Sequence, residues 1–246
     1  MADNPESSYT QALDTAPKED QVFIRDLYRK RAYANLTAKH FNVVLEDALA
    51  SCSGDDSDSK AYYCAGRATY ELGLFEESKA HFQKALQSNP KDLKSRKDFN
   101  RATARIVEKD DGNYGFDSMV GSVTRNHIHL DYADFIKNTT VSKTINHGRG
   151  LFAAKFIPAG GLVLAEKALC LPNIYEGGQS PSTVLYNFNT NAKTKRSAQP
   201  ALFLQLAHKL YNNPTLAKRF FDLDSGNYVR SGEEGELIDG VPVIDM

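Results

Sequence analysis

Residues Ala61–Asp92 read AYYCAGRATYELGLFEESKAHFQKALQSNPKD. The stretch carries two helical patterns joined at Leu72-Gly73-Leu74. Gly73 suits the left-handed position that ends a helix, because it has no Cβ to meet the neighbouring carbonyl. The second pattern turns Phe75, Phe82, Ala85 and Leu86 toward a partner. Asn89-Pro90 ends it, and Pro90 is suited to open a third helix. That third element carries Phe99, Ala102 and Ile106 at helical spacing, with charges elsewhere.

The segment resembles a tetratricopeptide repeat, a helix-turn-helix of about 34 residues with small residues at the helix contact. Tyr62 stands where that family usually has Trp, and Gly66 takes the close-contact position. Tyr70, Gly73, Phe75, Phe82, Ala85 and Pro90 match the rest of the signature, with Ser78 in place of the usual alanine. Leu27–Ser51 reads as a weaker copy, in which Phe41, Val44, Leu45, Ala48 and Leu49 form one helical face. The expected organisation is a flexible leader over 1–18, helical repeats with a capping helix over 19–110, and a glycine-rich linker over 111–126.

Stacked helix pairs form a surface suited to a protein or peptide partner, or to another part of the same chain. Relatives that hold acidic chaperone tails need Lys, Asn and Arg on the inner helices. The corresponding positions here are Asp26, Lys30, Cys64, Lys94 and Asp98, and only Lys94 fits, so that use is not expected.

Beyond residue 126 the period changes. Val141, Lys143 and Ile145 alternate with polar neighbours as in a strand; Asn146–Gly150 reads as a turn and Leu151–Ala154 as a second strand. Leu162–Leu171 reads as a longer, mostly buried strand closed by Pro172. Helices are expected over Ser182–Phe188, Pro200–Tyr211 and Thr215–Phe221. The fold class is therefore α+β: helical repeats followed by a β-rich unit over 127–246 with a helical insert.

The run HGRGLFAAKFIPAGGLVLAEKALCLP, residues 147–172, is similar to the opening of the SET domain of lysine methyltransferases. Gly148, Arg149, Gly150, Leu151, Ile157, Pro158, Gly160 and Glu166 occupy the matching positions. A lone Gly-Arg-Gly is equally well a hairpin turn; the full run is far more specific. Repeats followed by this opening resemble the fungal tetratricopeptide–SET proteins, as do the flanking HIHLDYADF and IDGVPVIDM. The resemblance implies S-adenosylmethionine as cofactor, held through Gly148, Arg149, Gly150 and Leu151. Glycine lets the main chain approach a ligand closely. For Arg149, a main-chain contribution and a solvated turn residue are both open readings.

The family's SET fold is completed by a C-terminal half with an Asn-His motif and a channel tyrosine. Neither motif appears here, so no catalytic residue is expected. Tyr175, Tyr186, Tyr211 and Tyr228 do not sit in such a motif. The implied activity is protein-lysine N-methyl transfer, with this chain expected to be inactive for want of the second half. The alternative is a non-enzymatic adaptor whose repeats bind a partner.

Composition excludes other classes. The chain has 246 residues, 41% hydrophobic and 25% charged, which is enough apolar material for a core. A net charge of −1 does not suit a strongly basic nucleic-acid binder. No apolar run approaches the roughly 18 residues of a membrane span. Cys52, Cys64 and Cys170 are too sparse for a disulfide framework or a cysteine-rich zinc site, and His127, His129 and His147 lack companions at zinc spacing. No metal site is expected, and the expected setting is intracellular, nuclear or cytoplasmic.

Overall fold

Three aspartates start the first helix of each repeat pair and the helix after them. The Asp20 carboxylate accepts from the Phe23 amide at 3.0 Å and opens α2 (Gln21–Ala38). Asp58 accepts from the Ala61 amide at 3.0 Å and opens α4 (Ser59–Glu71). Asp92 accepts from the Lys94 and Ser95 amides and opens α6 (Leu93–Asp111). Such caps satisfy amides that have no partner inside the helix. Pro90, expected to open this helix, lies in the turn before it, and the Asp92 cap sets the start instead. The computed structural model describes residues 5–52, 58–124, 128–145, 148–172, 185–187, 192–194, 198–223, 237–238 and 241–242.

The second helices of the pairs are α3 (Phe41–Ser51) and α5 (Phe75–Ser88). Leu74 and Gly73 join α4 to α5 by a paired turn: the Leu74 amide donates to the Thr69 carbonyl at 2.9 Å, and the Gly73 amide to Tyr70 at 3.0 Å. Gly73 takes the left-handed conformation, φ 81°. The same turn joins α2 to α3, but there the left-handed residue is Lys39, φ 65°.

Ala32, Val44, Ala48, Cys64, Ala65 and Ala68 form one buried cluster where α2, α3 and α4 meet. Tyr70, Phe75, Phe82 and Ala102 form a second across α4, α5 and α6. Gly66 lies so close to Phe82 that a Cβ on it would stand 2.7 Å from the ring. Arg31 of α2 grips Asp47 of α3 with two hydrogen bonds, 2.8 and 2.7 Å, and Asp47 is buried. A two-pronged pair of this kind fixes geometry as well as charge.

The leader expected to be flexible holds a helix, α1 (Pro5–Thr15). Tyr9, Ala12 and Leu13, spaced i, i+3, i+4, are partly buried, and Arg31 donates to the Thr10 hydroxyl at 3.2 Å. That narrow face is enough to seat a helix whose polar composition suggested none. Within the stretch expected as linker, α7 (Phe116–Ser122) forms, and Tyr114 donates to the Ala133 carbonyl at 2.7 Å.

Strands β1 (Thr139–Thr144) and β2 (Gly148–Ala153) form an antiparallel hairpin, with Thr139 opposite Ala153 and Thr144 opposite Gly148. Gly148–Gly150, expected in a turn, therefore belong to the strand. Leu162–Leu171, expected as a mostly buried strand, makes a single bridge, Ala165 with Phe135. Val163 and Leu171 are exposed, and no neighbouring strand among the described residues extends the ladder.

The helix expected over Ser182–Phe188 is replaced, in its described part, by strand β3 (Leu185–Asn187), paired with β4 (Ala192–Thr194). Helix α8 (Ala198–Asn212), a single 3-10 turn (Pro214–Leu216) and α9 (Ala217–Phe221) follow the helical spacing of the sequence closely. A last short pair, β5 (Leu237–Ile238) with β6 (Val241–Pro242), completes the described elements. Helical repeats with small two-stranded sheets make the fold α+β.

Candidate functional site

The four residues expected to hold a cofactor lie consecutively at the start of β2. Gly148 has φ 70°, a conformation that a side chain would strain, and a Cβ there would meet nothing. At Gly150 a Cβ would stand 2.9 Å from the Phe152 ring and 3.3 Å from Thr144. Gly150 thus permits the Phe152 ring to fold back over the strand. Arg149 lies opposite Lys143, a like-charge pair, and its guanidinium turns away to donate to the Asp222 carbonyl just after α9. The residue is exposed and lies on a strand, not in a turn, with its side chain held on that carbonyl.

Leu151 lies opposite Val141, and both are more than half exposed. Among the described residues, β2 has a strand partner on one edge only. Its other edge offers main-chain donors and acceptors beside two glycines. That arrangement fits an extended ligand read through the backbone, which is the kind of contact the resemblance implies for S-adenosylmethionine.

Among the described residues of this hairpin there is no His, Cys, Asp, Glu or Tyr. Tyr211 is 83% exposed near the end of α8, Tyr186 lies on β3, and Tyr175 and Tyr228 fall outside the described residues. His127 and His147 also fall outside them. No group of three or more His, Cys, Asp or Glu among the described residues is placed to hold a metal ion. Likewise, no described helix is long and apolar enough to cross a membrane.

A second polar site lies on α4 and α6, and the sequence spacing did not point to it. Tyr63 donates to Asp98 at 3.2 Å, and Asp98 pairs with Arg101 at 2.8 Å. Tyr70 donates to Asp131 at 2.7 Å, and Arg101 reaches the other oxygen of the same carboxylate at 2.9 Å. The Arg101 guanidinium also lies over the Tyr70 ring, 4.7 Å from its centre. Burial and the neighbouring Asp131 charge both push the Tyr70 hydroxyl upward, so it stays a donor. Burial works to raise Asp131, but the Tyr70 hydroxyl and the two arginines outweigh it and hold the carboxyl below its usual range.

Asp131 is the anchor of a chain segment laid on the repeats. Four of the positions tested for chaperone tails, Asp26, Lys30, Cys64 and Asp98, are also spoken for. Asp26 pairs with Lys30 and Arg29, Cys64 is buried, and Asp98 serves the network just described.

No model of a known protein family matches the chain. It is 27% identical over 242 residues to a Gibberella zeae protein named methyltransferase, an alignment that covers 97% of this chain and 32% of that protein. It is 28% identical over 112 residues to protein unc-45 homolog B of Danio rerio, covering 46% of this chain and 12% of the relative. The chain thus spans about a third or less of the length of these relatives.

Proposed function

We propose that this chain is the repeat-bearing, cofactor-side part of a SET-type protein-lysine methyltransferase. The observation that carries the reading is the glycine strand: Gly148 at positive φ and Gly150 on a strand edge without a neighbour among the described residues. The likeness of residues 147–172 to a SET opening and the similarity of 97% of this chain to 32% of a protein named methyltransferase support it. S-adenosylmethionine would supply a methyl group on a sulfonium centre.

In this reading Gly148–Leu151 bind the cofactor through the main chain. Arg149 holds the strand to the end of α9 and so fixes the edge that the ligand meets. The chain contributes binding and orientation, and no acid-base residue is assigned to it. Alignment of the lysine nitrogen with the methyl group, the larger part of such catalysis, requires a closed channel. That channel belongs to the C-terminal half the family implies.

Equilibrium dialysis of labelled S-adenosylmethionine against the full chain tests this. Saturable binding, lost in Gly148→Val, is the expected result. Absence of binding, with the chain folded by circular dichroism, refutes it. The second reading, an adaptor, is favoured by the stacked helix pairs of the N-terminal half, the kind of module that binds a protein partner. Capture of a peptide by the repeats without any cofactor binding would select it.

A further inference from the structure

The inner faces of α4 and α6 hold a recognition site that cofactor binding does not use. Its ligand in this structure is part of the same chain, Asp131–Ala133. The Asp131 carboxylate receives Tyr70 at 2.7 Å and the Arg101 Nε and Nη2 atoms at 3.1 and 2.9 Å. Arg105 donates to the Asp131 carbonyl and stands 3.2 Å from its carboxylate. Tyr132 lies under the Arg105 guanidinium, 5.0 Å from its carbon. Two positions after the aspartate, the Ala133 amide donates to Glu108 at 2.8 Å.

The receptor groups are braced by their own helix. Asp98 holds Arg101, and Glu108 holds Arg105, each three residues away. Two of the contacts are to main chain and do not depend on the ligand's side chains. The others select a carboxylate followed by an aromatic and then a small residue. The Ala133 side chain is buried as a member of the second core cluster, together with Tyr70, which favours a small residue there. Asp131 itself is 45% exposed at the side chain, so the carboxylate end of the contact lies at the edge of the repeats while Ala133 packs into their core.

We propose that this cleft is a docking site for an extended acidic segment of a partner protein, with the pattern Asp-aromatic-small. The chain's own Asp131-Tyr132-Ala133 fills it, and such a partner binds by displacing that segment. The inference rests on the reading of the repeats as a protein-binding module and is independent of the cofactor site. An intramolecular ligand raises the threshold for binding in trans, because the partner competes with a tethered copy of its own chemistry.

The test uses a fluorescent synthetic peptide of residues 128–138 and the full chain. The native chain should bind it weakly, and the Asp131→Ala, Ala133→Pro chain about tenfold more tightly. Asp131→Asn within the peptide should cost about tenfold, as should Arg101→Ala in the emptied chain. Equal affinity for native and emptied chains, or indifference to the peptide's aspartate, overturns the proposal. Should the double variant fail to fold, hydrogen exchange on the native chain decides. Saturating peptide should speed exchange of the Ala133 amide, and an unchanged rate overturns the proposal. None of these outcomes alters the dialysis result, so failure here and failure of the methyltransferase reading are separate events.

Discussion

The carboxamide oxygen of Asn213 accepts the backbone N–H of Phe41 at 2.7 Å, across 172 positions of sequence. Phe41 begins α3, whose own preceding residue, His40, gives no capping bond. Asn213 therefore caps a helix of the first repeat from the far end of the chain. Its amide nitrogen donates to the Lys39 carbonyl at 3.1 Å and to Lys209 at 3.2 Å, and the residue is buried. Nearby, Asn42 and Thr215 exchange further hydrogen bonds.

Asn213→Ala should cost about 1–2 kcal/mol, because the Phe41 amide and the Lys39 carbonyl, both part-buried contacts, lose their partner together while Lys209 keeps the backbone N–H of residue 213. Chemical denaturation measures the loss. Hydrogen exchange should quicken first at the amides of the opening turn of α3. Thr215→Val, at an exposed site, should cost only a few tenths of a kcal/mol.

Gly66→Ala should destabilise the second repeat by about 1–3 kcal/mol through overpacking. The new methyl would stand 2.7 Å from the Phe82 ring, which is fully buried and has little room to move. A second change, Phe82→Leu, should recover part of the loss in the Gly66→Ala background although it is damaging alone. That non-additivity, read from melting temperatures, identifies the contact as the cause.

Lys39→Gly should stabilise the chain by about 0.5–1 kcal/mol. Lys39 adopts the left-handed conformation that Gly73 adopts in the equivalent turn, and its side chain is exposed. Relief of the Cβ clash outweighs the added freedom of glycine in the unfolded chain. A rise in melting temperature checks it, with Gly73→Ala moving it the other way.

The docking of Asp131 should weaken in acid. Its carboxyl lies below the usual range in the folded chain, so its contribution is complete above the ordinary carboxylate pKa and is lost as pH falls through the lower folded value. Between pH 7 and 5 nothing should change. Below about pH 4 the stability difference between the native chain and Asp131→Asn should close. Glu76 and Asp92 are also held low, the first by Lys109 and the second by Ser95, so the difference and not the native curve is the quantity to follow.

The sequence showed the helices well because their signals are local. Gly73 is set by its own turn, and Gly66 and Phe82 meet across one helix pair. The hairpin was legible from the alternation at Val141–Ile145, although Gly148–Gly150 read as turn when they are strand. The misreading has a physical cause: glycine in a strand and glycine in a turn leave the same trace unless the partner strand is known.

Leu162–Leu171 failed for the reverse reason. An apolar run marks burial, but a strand needs a partner ladder, and only Ala165 has one. The α4–α6 site was invisible because Tyr70, Arg101, Arg105 and Asp131 come from three separate stretches, and the polar residues of an exposed helix face look alike until something lies on them. A faint sign was present in α6, where Asp98, Arg101, Arg105 and Glu108 share one face at i, i+3, i+7 and i+10.

The cap that Asn213 places on α3 also sets an order of events during synthesis. The repeats are built from neighbours close in sequence and assemble as they leave the ribosome, since short loops close at little entropic cost. The opening turn of α3 is made at once yet waits for a residue 172 positions later before its Phe41 amide finds the Asn213 partner. Until then the Phe41 amide lacks its side-chain cap and the opening turn of α3 frays more readily. Maturation of the N-terminal module is thereby timed by translation of the distal one, and a ribosome stalled short of Asn213 leaves behind a repeat array that has folded but not yet locked.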